Sequence, residues 1–302
     1  MMTTSRYFKL IWIVPIALVV LAGIVLAAKG IRASDGGQQF LKDYPGESTL
    51  PSFAPVGFPI WVNVQHFLSA LFIMFIVRSG WQIRTMTRPT AFWTRNNTGL
   101  ITTKNPPVRI GLQLWFHLSV NTLWVINGLL FYVLIFSTGQ WTRVIPVSWD
   151  VFPNALSAGL QYASLQWPVE NGWINYNGLQ LITYFITIFI AAPLAVITGV
   201  RMAPGLAGQF RRIEKVYPIE LARKIHFPVM LWFVGFIIVH VTLVLATGAL
   251  RNLNHMYAAR DDQSWWGFGI FAASMIVMII GWIAARPVLL GSAASLTGSI
   301  RR

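Results

Sequence analysis

Cysteine is absent from all 302 residues, which removes disulfides, iron–sulfur clusters, thiolate metal sites and cysteine nucleophiles together. Charge is scarce as well. Only 11% of residues are charged and 55% are hydrophobic, whereas a soluble domain carries about 25% charged residues. Carboxylates are the scarcest ionisable groups, nine against 23 Lys and Arg. The resulting net charge of +14 is not gathered into a tract or stripe, so it argues against a nucleic-acid partner and reads as membrane topology. Neither an internal repeat nor a low-complexity segment is present.

What the chain has in abundance is long apolar runs, at roughly 10–28, 59–77, 111–136, 178–200, 226–249 and 267–285. Each suits a crossing helix of about 20 residues. All nine carboxylates fall outside these runs and the cations lie outside them or at their edges. The expected fold is therefore all-α and integral to a membrane, with six transmembrane helices. Arg6 and Lys9 before the first run also suit a secretory signal, but Leu10 to Ala28 exceeds the usual apolar stretch of about 7–15 residues. The expectation is a retained anchor.

Positive charge in short loops marks the cytoplasmic side. Segment 78–110 carries Arg78, Arg84, Arg88, Arg95, Lys104 and Arg109, and segment 201–224 carries Arg201, Arg211, Arg212, Lys215, Arg223 and Lys224. By contrast, 138–176 has Arg143 alone, 250–265 has Arg251 and Arg260, and the cations of 29–58 are balanced by Asp35, Asp43 and Glu47. This alternation places both termini in the cytoplasm of a bacterial inner-membrane protein, with lipid as its surroundings. Trp61, Trp141 and Trp265–Trp266 suit the membrane boundaries. Loops 29–58 and 138–176 are long for simple connections and read equally as an ordered cap, a docking surface or interfacial belts.

Four of the five histidines, His66, His117, His226 and His240, lie inside the apolar runs. An ionisable group there is a functional candidate because its desolvation needs compensation, although a lone helical His is as often a hydrogen-bonding residue. Their joint placement is more informative. His226 and His240 are 14 residues apart, close to four turns and about 21 Å of rise, so they share a face at two depths. His66 and His117 sit near the starts of two antiparallel helices. Depth then pairs His66 with His240 and His117 with His226. Imidazole suits several transition metals, but zinc sites want further ligands and no carboxylate lies at membrane depth. Two opposed imidazoles suit a six-coordinate haem iron. Covalent c-type attachment is excluded, as there is no C-x-x-C-H.

Small residues near these faces (Ser69, Ala70, Gly128) would make room for a macrocycle, or simply pack helices closely. Arg223, one turn before His226, and Arg251, three turns after His240, are candidate partners for haem propionates, or ordinary positive flanks. Gln113, Asn121 and Asn127 are polar candidates near a quinone or packing contacts, and His255 is left without a role.

With these residues in place the chain resembles the bacterial di-haem cytochrome b group. That group includes cytochrome b561 and the membrane cytochrome subunits of formate dehydrogenase and nickel–iron hydrogenase. The matching positions are Gln65-His66, Phe116-His117, Ile225-His226 and Val239-His240, with no His in the third core helix. The resemblance implies a four-helix di-haem core over 59–249, an N-terminal anchor over 1–29, an extracytoplasmic loop over 30–58 and one further helix within 250–302. It implies two b haems, exchange with quinone, and an electron-transfer subunit serving a catalytic oxidoreductase, by analogy an extracytoplasmic molybdopterin dehydrogenase. The extra first helix departs from the group and inverts the core. The rival expectation is a histidine-using transporter or channel without haem, which would call for broken helices, carboxylates or repeat symmetry.

Overall fold

The computed structural model describes residues 6–98, 102–167, 171–205 and 211–301. Glu170, counted above among the carboxylates, and the side chains of Arg211 and Arg212 lie outside the described residues. Six helices are long and apolar enough to cross a membrane, over Ile11–Ala33, Ile60–Thr85, Leu112–Ser137, Gly178–Met202, Ile219–Ala246 and Trp266–Ala284. The all-α membrane fold read from the apolar runs is what the structure shows. The fifth span begins earlier than its apolar run because Glu220, Arg223 and Lys224 occupy its first turns. A helix can extend beyond the hydrocarbon as long as its charged turns reach water.

The described chain forms two compact units. The first joins residues up to 56 with 139–185. It contains α1 (Arg6–Ala33), α2 (Asp35–Asp43), α5 (Val151–Ala163) and α6 (Gly178–Phe185). The two long loops that stand out in the sequence are thus organised against each other. Ser34 caps α2 by accepting from the Gly37 amide at 3.1 Å, satisfying a donor that the helix start leaves free. The Asn154 side chain accepts from the Gly46 amide at 3.0 Å, and the Ser48 hydroxyl donates to Asp150 at 2.7 Å. Arg143, buried despite its charge, donates to the carbonyls of Gly172 and Trp173 and lies over the Tyr176 ring. Such multiple donation is what a buried guanidinium requires.

The second unit comprises 57–138 and 186–302. Here α3 (Ile60–Thr85) packs on α4 (Leu112–Ser137), and α7 (Ala192–Met202) packs on α9 (Ile219–Ala246). α8 (Arg211–Val216) precedes α9; α10 (Ala249–Leu253), α11 (Trp266–Ala284) and α12 (Pro287–Ser295) follow it. A π-helical turn, Ile186–Ala191, leads into α7, and the Tyr132 hydroxyl donates to its Ile188 carbonyl at 2.6 Å. Arg78 reaches the carbonyls of Trp282 and Ala285, neutralising the end of α11 where backbone acceptors lack partners.

Three short strands add a small sheet not expected from the sequence. β1 (Phe92–Arg95) lies between β2 (Ile110–Gly111) and β3 (Gly298–Arg301), antiparallel to both. Trp93 donates its indole N–H to the Ala294 carbonyl at 3.0 Å, and buried Ala91, Leu112 and Ala294 fill the space beneath.

One close approach in the first unit is at Gly178, where an added Cβ would stand 2.7 Å from the Ala155 nitrogen and the Val151 oxygen. Gly178→Val should lower the thermal unfolding midpoint in detergent, with a cost of about 2 kcal/mol or more from overpacking against backbone. Gly159→Ala, on α5 with nothing within 4 Å, should leave the midpoint unchanged or raise it.

Candidate haem-binding site

α3, α4 and α9 bring all four intramembrane histidines into the second unit. The rings of His66 and His240 have centroids 6.3 Å apart at 61°. Two imidazoles on opposite sides of one metal, each nitrogen about 2 Å away, place their centroids roughly 6 Å apart. The residues present therefore fit a single ion between them. Phe236 stacks on His240 at 5.4 Å and 9°, and Tyr257 meets His66 edge-on at 5.8 Å. The Nδ1 of His66 is buried and has no hydrogen-bond partner among the described residues.

His117 and His226 are each held by a hydroxyl of another helix. The Ser79 hydroxyl lies 2.9 Å from His117 Nδ1, and the Thr198 hydroxyl 2.7 Å from His226 Nδ1. A hydroxyl has one proton to give. Ser79 gives it to the Phe75 carbonyl at 2.7 Å, and Thr198 to the Leu194 carbonyl at 2.6 Å. Each hydroxyl oxygen is left to accept from Nδ1–H, which fixes the tautomer and leaves the Nε2 lone pair for a metal. A glycine follows each hydroxyl. A Cβ on Gly80 would stand 3.4 Å from His117 Cε1, and one on Gly199 3.7 Å from His226 Cε1.

The fold brings the rings of His66 and His240 together and sets His117 and His226 each against a hydroxyl of another helix. Sequence reasoning missed Ser79-Gly80 and Thr198-Gly199, whose only signal is a hydroxyl followed by glycine, once just past the second apolar run and once near the end of the fourth. Arg223 is exposed on α9. The Arg251 guanidinium is engaged by Asp261, at 2.7 and 3.1 Å. His255, previously without a role, is buried and lies 2.8 Å from the same carboxylate, while its backbone carbonyl accepts from Asn63 at 2.9 Å. Gly128 has nothing within 4 Å of an added Cβ, as open space beside a helix face would give. Of the polar residues on α4, Gln113 donates to Thr90, Asn121 to the His117 carbonyl and Asn127 to Ser69. Among the described residues no group of three or more His, Asp or Glu side chains could hold an ion, so paired imidazoles are the donor set this fold offers.

Apolar spanning helices that hold imidazoles in facing pairs define a multi-pass membrane cytochrome. Residues 57–258 match the sequence model of the prokaryotic cytochrome b561 family. That is two-thirds of the chain, and the chain belongs to this family, which implies b-type haem. It is similar to a protein of Azospira oryzae named "Putative protein-methionine-sulfoxide reductase subunit YedZ1", with 28% identity over 192 residues, 62% of this chain and 88% of that protein. No solved structure matches the chain significantly.

Two outcomes follow from this geometry. Ser79→Ala and Thr198→Ala should weaken haem retention by about 10–100-fold, the usual loss when an outer partner of a ligating histidine is removed. A red-shifted or broadened Soret band and a changed midpoint potential would accompany the loss. Separately, the hydrogen bonds from Arg251, and then His255, hold the Asp261 carboxyl down to about 2, against the opposing effect of burial. Its ordinary value is near 4. The depressed group therefore stabilises the fold fully above about pH 4, and that contribution drains away as pH falls toward 2. Limited proteolysis across 249–264 should show acid-induced opening in that window, which Asp261→Asn should abolish by leaving the loop open at every pH.

Proposed function

We propose that the chain holds two haem b groups, one between His66 and His240 and one between His117 and His226, and carries electrons between the quinone pool and a catalytic oxidoreductase partner. The observation that carries this reading is the pair of imidazole clamps, both set by α9. When bound, haem iron supplies one-electron redox chemistry at potentials tuned by its axial ligands, burial and hydrogen bonding. The protein's part is to keep each Nε2 free of a proton, to align the rings and to exclude water. Hydroxyl acceptors at His117 and His226 raise ligand basicity and favour the oxidised state. Aromatic neighbours wall the His66–His240 site.

A catalytic partner is supported by the name of the Azospira oryzae relative, which is a reductase subunit. By that likeness electrons run from quinol through this chain to the partner. Arg223, exposed beside His226, is the stronger of the two propionate candidates. Arg251 could serve only by sharing its guanidinium with Asp261. The inner-membrane topology with cytoplasmic termini is supported by the sheet. Pairing of β1 with β3 puts the basic connection between α3 and α4 on the same side as residues 298–301. The domain scheme of an anchor over 1–29, a di-haem core over 59–249 and a flanking helix within 250–302 belongs to the same reading.

A pyridine haemochrome of the purified protein should count two b haems per chain. His66→Ala or His117→Ala should each leave one. A well-folded preparation from haem-replete cells that contains no haem would return the histidines to the transporter reading.

A further inference from the structure

Midway between the two histidine pairs the bundle changes character. Ile73 is seven residues beyond His66, Trp124 seven beyond His117, and Phe233 seven from both His226 and His240. Seven residues are close to two turns and about 10 Å, so these side chains form one layer at the centre. Phe233 is buried and packs with Ala191 and Val229 against Ile73, Trp124, Ala195 and Ile225. Trp124 meets Phe233 edge-on, with centroids 6.0 Å apart at 87°.

On either side of that layer the bundle is polar. Asn121 and Asn127 stand three residues before and after Trp124, on the same face of α4. Asn121 donates to the His117 carbonyl at 2.7 Å, and buried Asn127 donates to Ser69 at 3.2 Å. Trp124 therefore separates the amide that bonds the His117 carbonyl from the amide that bonds Ser69, three residues beyond His66. A proton needs a chain of hydrogen-bonding groups or water, and an apolar gap disfavours water. An electron needs no bonded carrier across the same gap.

We propose that Ile73, Trp124 and Phe233 form a septum that passes electrons between the two histidine-paired sites and refuses protons. This rests on the two-haem reading for its electron half alone. One electron arrives at one iron as one leaves the other, no covalent bond changes, and no proton crosses. Charge moved between the leaflets is then not cancelled by a proton following it.

The full-length protein in liposomes loaded with a pH-sensitive dye, under a potassium diffusion potential set by valinomycin, tests the proton half. The unaltered chain and Trp124→Phe should hold the potential without proton entry. Trp124→Gln puts a third amide between Asn121 and Asn127 and should leak protons at least ten-fold faster, with its haem count unchanged. Phe233→Gln should do the same from α9, and serves if Trp124→Gln fails to accumulate. A Gln variant as tight as the unaltered chain overturns the septum, and so does a Phe variant that leaks as fast as the Gln variant. A haem count below two in the unaltered chain defeats the two-haem reading alone, because proton entry is measured without any redox turnover.

Discussion

An imidazole inside a membrane has two nitrogens to satisfy and no water to satisfy them with. Much of the second unit can be read as the answer to that constraint, met four times. On the His117–His226 side, helix hydroxyls take one nitrogen of each ring. The other nitrogen keeps its lone pair, which on the two-haem proposal is the one that would meet iron. The hydroxyls themselves lean on carbonyls of their own helices. Thus backbone geometry four residues upstream sets the chemical character of a ligand on a different helix.

α9 is the element on which this depends most. Its two histidines share a face because 14 residues are nearly a whole number of turns, and Phe233 occupies the middle of that interval. α3 and α4 supply a ligand apiece and then Ile73 and Trp124 two turns later. α7 supplies Thr198 and Gly199 toward His226. Layers of histidine, apolar side chains and histidine follow from helical periodicity.

That periodicity is why so much was legible in the sequence. The six apolar runs matched the spanning helices, and depth counting put His66 beside His240, whose rings lie 6.3 Å apart. What stayed hidden depends on partners distant in the chain. Ser79 and Thr198 look like ordinary small residues until the ring across from them is known. β1 and β3 are four residues each, with no alternation to betray them, and are joined by pairing across some 200 residues of chain. Arg251 read as a propionate partner or a positive flank, because Asp261 reaches it only through a turn whose shape no local pattern announces.

The first unit is assembled from residues up to 56 and residues 139–185. During synthesis its first part must wait until the intervening stretch, including α3 and α4, has been made. At ordinary translation rates that delay is on the order of ten seconds. Through this interval Asn154 is not yet there to meet Gly46, and the loop after α1 must remain soluble without its mate. Its polar composition, with Lys42, Asp43 and Glu47 among glycines and glutamines, suits a segment that has to linger unpaired before it can close.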